Sequence, residues 1–161
     1  MVGGWQGKIL KVQLASGDIG SVTPDTRYYH MHIGGTGLAA RILYDMIPSD
    51  ADPLGPRNVV AIFVGPVTGT RFPGAGRVEI CSLSPLTGGW GESSMGGFLG
   101  TALKRAGWDG VLLEGTANAP TYLLVEDGKA QLLDAADLWG LDPMRRKQSC
   151  GTGTQVLRWL A

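Results

Sequence analysis

Arg77 is the residue whose setting most suggests chemistry. It directly follows Pro73-Gly74-Ala75-Gly76 and opens an apolar segment. A guanidinium there can grip an anionic group with two parallel N–H donors, beside glycine amides that approach the same group. A second junction of this kind runs from Ser93 and Ser94 through Gly96 and Gly97 into a helical segment. Small hydroxyl residues and glycines before a helix suit phosphate. Together, Gly76-Arg77 and Ser94 to Gly97 could clamp one polyanionic cofactor. The plainer alternative is a surface arginine and a capped helix.

Other candidates carry less. Gly35-Thr36-Gly37-Leu38-Ala39-Ala40 matches GxGxxA at a helix start. A dinucleotide site needs a buried strand before that loop and an acid about 20 residues after it. Tyr28-Tyr29-His30-Met31-His32 is a poor buried strand, and Asp50 and Asp52 sit in a loop, so helix punctuation is the better reading. His30 and His32 are two apart and do not share a helix face. With no third ligand they are read as structural or solvated. Glu79, Glu92 and Glu114 are single acids, none marked out as a general base. No nucleophile–base set and no CxxC occurs. Neither a catalytic nor a metal-ligating residue is assigned.

The elements that must position Arg77 are mostly strands. Lys8 to Leu14 alternates apolar and polar residues. Ala15-Ser16-Gly17-Asp18 reads as a turn into Ile19 to Thr23. Pro24 is expected to open a helix through Ile33 with Thr23 as its N-cap. Leu38, Ile42, Leu43 and Met46 predict a helix over Gly37 to Met46. Asn58 to Gly65 reads as a buried strand, Arg77 to Ser84 as another, and Ser84 to Gly97 as a long loop. Phe98 to Ala106 reads as a helix capped by Gly107. Val111 to Glu114 reads as a strand, and Asp127-Gly128 joins two more as a hairpin. Strands outnumber helices and neighbours look hairpin-connected, so the fold class is α+β rather than a doubly wound parallel sheet.

Bulk properties narrow the partners. The 161 residues suit one domain, with 43% hydrophobic and 17% charged residues arguing for a packed core. Equal counts of 14 basic and 14 acidic residues give no net charge, which argues against a nucleic-acid partner. Met1 to Leu10 has no apolar run of signal length. The longest apolar stretch, Val59 to Val64, is far too short for a membrane span. A cytoplasmic protein with no membrane partner is expected. Glycine is unusual, at 26 residues, and clusters between apolar segments where backbone turns tightly or nears a ligand.

A series of stretches carries a resemblance. Gly4-Trp5-Gln6-Gly7-Lys8, Ile33-Gly34-Gly35-Thr36-Gly37 and Asp52-Pro53-Leu54-Gly55-Pro56-Arg57 begin it. Gly65-Pro66-Val67-Thr68-Gly69, Ser84-Pro85-Leu86-Thr87-Gly88 and Glu92-Ser93-Ser94-Met95-Gly96-Gly97 continue it. Lys104-Arg105-Ala106-Gly107-Trp108-Asp109 and Leu138-Trp139-Gly140 complete it. In order and spacing the series resembles the N-terminal domain of the tungsten-containing aldehyde ferredoxin oxidoreductases.

The resemblance implies a β-rich base that carries tungsten, or molybdenum, held by two pterin dithiolenes. It implies that Arg77 contacts the pterins, with Gly96 and Gly97 in the same loop. Ser94 falls where some members carry asparagine near the pterin phosphates; serine keeps a hydroxyl and loses the amide. The implied chemistry is oxidation of an aldehyde to a carboxylic acid, with electrons leaving through a [4Fe–4S] cluster to ferredoxin. In the family the cluster cysteines and the substrate pocket lie far downstream, so this chain by itself is expected to be inactive. The alternative is a non-catalytic remnant, or a subunit completing a cofactor site on a second chain. The resemblance covers residues 1–142 as an incomplete domain and stops there. Residues 143–161 read as a divergent tail with an amphipathic helix. A shortened chain, a shifted reading frame or an excised fragment would each account for the change.

Overall fold

The run Val59-Val60-Ala61-Ile62-Phe63-Val64 has no polar residue on either alternating face, which requires a strand covered on both sides. In the computed structural model, which describes residues 3–141 and the strand Leu157–Leu160, this run is β3 (Val59–Val64), near the middle of a six-stranded sheet. The other members are β1 (Ile9–Gln13), β2 (Asp18–Val22), β4 (Val78–Leu83), β5 (Trp90–Met95) and β6 (Gly110–Glu114), in the order β2-β1-β6-β3-β4-β5. Each neighbouring pair is antiparallel except β1 with β6.

The two faces of the sheet have separate cores. Ile9, Val59, Ala61, Phe63, Cys81 and Leu112 pack with residues of α1 (Thr26–His32) and α2 (Gly35–Met46). Leu10, Val12, Ile62, Val64, Val78 and Val111 pack on the opposite side with Leu103 of α3 (Leu99–Arg105). Leu123 and Val125 of β7 (Thr121–Glu126) close that second core. β7 lies between β8 (Lys129–Asp134) and β9 (Leu157–Leu160) in a small separate sheet. The expected α+β class holds.

β6 sits where the backbone must come closest. Gly110 pairs with Phe63, and a Cβ on Gly110 would lie 2.8 Å from the Phe63 ring. Only glycine lets that ring lie flat against the neighbouring strand. Beside it, Asp109 is buried and accepts from the backbone N–H groups of Gln6 and Gly7 at 3.0 and 2.7 Å. Buried Lys104 donates its Nζ to the same carboxylate, so the N-terminal segment, α3 and β6 meet at one polar node.

Several expectations change. Residues 84–97 are not one long loop: Trp90–Met95 forms β5, paired with β4 along its length. The strand arises from pairing at a sheet edge, because most of its side chains face outward. The first helix starts at Thr26, and its N-cap is Asp25 rather than Thr23. The Asp25 carboxylate accepts from the Arg27 amide at 2.8 Å and from the Arg27 guanidinium, a better acceptor than a hydroxyl at that place. α2 starts at Gly35, two residues early. Within the expected C-terminal helix, Leu157–Leu160 instead forms β9, which satisfies the outer edge of β7; the rest of that helix lies outside the described residues.

Candidate functional site

The segment between β3 and β4 is a closed loop that delivers Arg77 to its place. The buried Thr68 hydroxyl accepts from Gly65 N–H at 3.0 Å and donates to the Arg77 carbonyl. Gly69 N–H donates to the Ala75 carbonyl at 3.0 Å, closing the loop base. β4 then starts at Val78, and the β4–β5 register sets Glu79 opposite Ser94.

Three side chains meet there as a relay. Arg77 Nε donates to Ser94 Oγ at 2.9 Å, and Arg77 Nη2 reaches the Ser94 carbonyl at 3.3 Å. Ser94 Oγ donates to Glu79 Oε1 at 2.7 Å. The single hydroxyl proton of Ser94 is thus directed at Glu79. Glu79 Oε2 is buried and has no hydrogen-bond partner among the described residues. Two of the five guanidinium N–H groups are used on Ser94, and Arg77 itself is exposed.

Arg77 stands on a saddle between two depressions. The larger, about 570 Å³, lies between the Gly74–Gly76 turn, Gly96-Gly97, and the side chains of Phe72, Phe98 and Arg105. The smaller, about 320 Å³, lies between the Gly34–Gly37 entry to α2, the Gly65–Thr68 turn, and Glu79. Gly74, Ala75 and Arg77 border both. The glycines have steric reasons: Gly97 has φ +101°, which L side chains rarely adopt, and a Cβ on Gly76 would sit 3.2 Å from the Gly97 carbonyl. The four residues expected at the site, Arg77, Ser94, Gly96 and Gly97, are therefore neighbours. Arg77, Gly96 and Gly97 share one concavity; Ser94 turns its hydroxyl back into the relay.

Glu79, Phe72, Phe98 and Arg105 did not stand out in the sequence. Neither did the clamp on Glu92, whose carboxylate accepts from Thr36 Oγ1 and Trp90 Nε1, each at 3.0 Å. The signal for Glu79 and Glu92 was the alternation Trp90, Glu92, Ser94 along one face of a strand, masked by the glycine and serines around it. Cys81 is no nucleophile: burial first, then the carboxylates of Glu92 and Glu79, pushes its thiol up to about 12. His30 stacks edge-on to Trp5, and His32 lies beside Tyr28. Among the described residues no three His, Cys, Asp or Glu side chains are grouped to hold a metal. Gly35 is preceded by α1, not by a strand, so the dinucleotide context is missing.

The family model of the aldehyde ferredoxin oxidoreductase N-terminal domain matches residues 9–151. The chain belongs to the aldehyde ferredoxin oxidoreductase family. Tungsten-containing aldehyde ferredoxin oxidoreductases of Thermococcus kodakarensis and Pyrococcus furiosus are each 37% identical to it over 140 residues, covering 87% of this chain and 23% of the relative. An aliphatic sulfonate oxidoreductase, WOR-like subunit, of Pyrococcus furiosus is 34% identical over 140 residues, covering 85% of this chain and 22% of the relative. Among solved structures, the active site complex BamBC of benzoyl coenzyme A reductase with 1,5-dienoyl-CoA superposes with a TM-score of 0.88 at 31% identity. That match covers 91% of this chain and 22% of the other. The chain thus spans under a quarter of the length of these family members, and the saddle at Arg77 lies in the aldehyde ferredoxin oxidoreductase N-terminal domain. Among the described residues no helix is long and apolar enough to cross a membrane.

Proposed function

We propose that this chain is the floor on which a tungsten or molybdenum bis-pterin cofactor rests in an aldehyde-oxidising enzyme of this family. The observation that carries the reading is the position of exposed Arg77 between two depressions that it borders. A cofactor with two anionic halves fits such a saddle, and one cation can serve both halves. The glycine turns at Gly74 to Gly76 and Gly96-Gly97 leave room where a side chain would intrude. The buried, unpartnered oxygen of Glu79 marks polar capacity beside the site that the described residues leave unused.

When bound, the cofactor supplies two-electron oxidation of an aldehyde to a carboxylic acid, with electrons passing through a [4Fe–4S] cluster to ferredoxin. The residues of this chain bind and orient. Arg77 donates charge-assisted hydrogen bonds, each worth about 1.5–3 kcal/mol net. Ser94 and Glu79 fix the plane of the guanidinium. No side chain of the floor is assigned to the metal. The exposed side chains of Phe72, Phe98 and Met95 beside the saddle suit a cover from further family segments, on the same polypeptide or on a second chain. The setting is cytoplasmic, with no membrane and no nucleic-acid partner.

The test supplies those segments and counts metal and pterin per chain after gel filtration. Arg77→Ala lowers retention by about tenfold or more, and Arg77→Lys recovers only part, because a point charge lacks the planar fork. Unchanged retention in Arg77→Ala would sink the reading.

A further inference from the structure

One wall of the smaller depression has a backbone that its sequence does not favour. Ile33, Gly34 and Gly35 lead from α1 into α2 with φ of +65°, +153° and +51°, and all three line the depression. Glycine takes positive φ readily, but a β-branched residue there is an outlier. Ile33 has ψ −57°, and the Gly34 N–H donates to the His32 carbonyl at 2.7 Å. That is a three-residue turn of the rare, strained hand. Packing explains the abrupt turn. A Cβ on Gly34 would lie 3.1 Å from the Val64 carbonyl oxygen, so the chain passes tightly over the end of β3. Ile33 itself is 62% exposed, and its own burial does little to offset the strain.

Such strain persists only where the surroundings over-determine it. Two side chains from distant parts of the sequence do so. Trp5 Nε1 donates to the Ile33 carbonyl, and the Trp5 ring is itself set against Tyr29 and His30. Three residues further on, Thr36 Oγ1 donates to Glu92 Oε1 at 3.0 Å. The other oxygen of Glu92 accepts from Trp90 Nε1 at 3.0 Å, which holds the carboxylate to its own strand. The Glu92 charge also lies at the N-terminal end of α2, where a helix favours an anion.

We infer that Trp5 and Glu92 are positioning residues that hold the strained entry to α2 as one rigid wall, so that the smaller depression beside Arg77 is formed before anything occupies it. The inference rests on the cofactor reading above only for what the depression receives.

The test follows backbone amide hydrogen exchange by NMR on the 161-residue chain. Glu92→Ala speeds exchange at Ile33 and Gly34 by about fivefold, the scale of one net hydrogen bond, although it removes no bond from either residue. Trp5→Phe keeps a ring and loses the N–H. It speeds exchange by a similar factor at Leu38, whose amide donates to the Gly34 carbonyl. Glu92→Gln recovers part of the loss, because an acceptor oxygen remains while the charge is gone. Amides of β7 and β8 exchange as in wild type throughout. Glu92 is exposed, so its variants fold and decide the matter even where Trp5→Phe does not.

Unchanged exchange at Ile33 and Gly34 in Glu92→Ala overturns the inference. So does equal acceleration across β7 and β8, which would mean a loss of global stability. Retention lost in Arg77→Ala with unchanged exchange in Glu92→Ala removes these two roles and leaves the cofactor floor standing. Accelerated exchange in Glu92→Ala with full retention in Arg77→Ala removes the floor and leaves the rigid wall.

Discussion

Two of the networks that join a cation to a carboxylate in this protein are built for opposite ends. At Lys104 and Asp109 the carboxylate is almost fully buried and accepts from an ammonium and two backbone amides. At Arg77, Ser94 and Glu79 the guanidinium is exposed, and one carboxylate oxygen has no partner among the described residues. The closed network leaves nothing for a ligand. The open one fixes the orientation of Arg77 with two of its donors, and the described residues take no more. The lesson is that an ion pair shows its role by what it leaves unsatisfied. Lys104 and Arg105 repeat the contrast in adjacent residues, one turned into the core and one toward the depression.

The sharpest attempt to break the comparison is Asp109→Ala. Removing one partner strands buried Lys104 and two amides, so urea unfolding should show a loss of about 3–5 kcal/mol. A loss below about 1 kcal/mol, the usual scale of an exposed pair, would mean that the node is not closed. Arg77→Ala should behave in reverse. Its unfolding free energy should stay within about 0.5 kcal/mol of wild type, while pterin retention in the completed assembly falls by about tenfold or more.

Ser94→Ala probes the relay between these extremes. It removes the donor to Glu79 and the acceptor for Arg77, so urea unfolding should register about 1 kcal/mol. Pterin retention should fall less than in Arg77→Ala, because the guanidinium remains but is no longer held. Equal losses in the two variants would make Ser94 a direct contact instead.

The smallest effect belongs to Asp25, which lies outside both networks. The Arg27 side chain, then the Arg27 amide, holds its carboxyl below the ordinary carboxylate value. A group with a depressed folded pKa stabilises above its unfolded pKa, and that contribution disappears as pH falls through the folded value. The melting temperature of wild type should therefore exceed that of Asp25→Asn slightly at neutral pH. The gap should close in acid; a gap that widens in acid would reverse the assignment.

How much of this was legible in the sequence depends on where each residue spends its side chain. β3 announced itself because both faces are buried and all six residues are apolar. Asp127-Gly128 announced a hairpin because both residues take positive φ, as the tight turn demands. β5 was silent. Trp90-Gly91-Glu92-Ser93-Ser94-Met95 buries little, so its strand state comes from its neighbour rather than its own pattern. Because β5 read as a loop, the meeting of Glu79 with Ser94 was invisible. Arg77 could be found from its glycine turn and Gly96-Gly97 from theirs, but not the relay between them. The insertion of β6 beside β1 has no local signal either, since parallel partners are chosen by packing at long range.

That insertion has a consequence in time. β6 pairs with β1 on one side and β3 on the other, and β1 lies almost a whole domain earlier in the chain. The β1–β2 and β4–β5 pairs join sequence neighbours and can form early, whereas the centre of the sheet waits for the longest loop to close. During synthesis, a nascent chain that has not yet released Gly110 to Glu114 from the ribosome leaves the inner edges of both β1 and β3 unpaired. These apolar edges are templates for intermolecular strand pairing. The hazard falls on the unfinished polypeptide and ends when its sixth strand arrives.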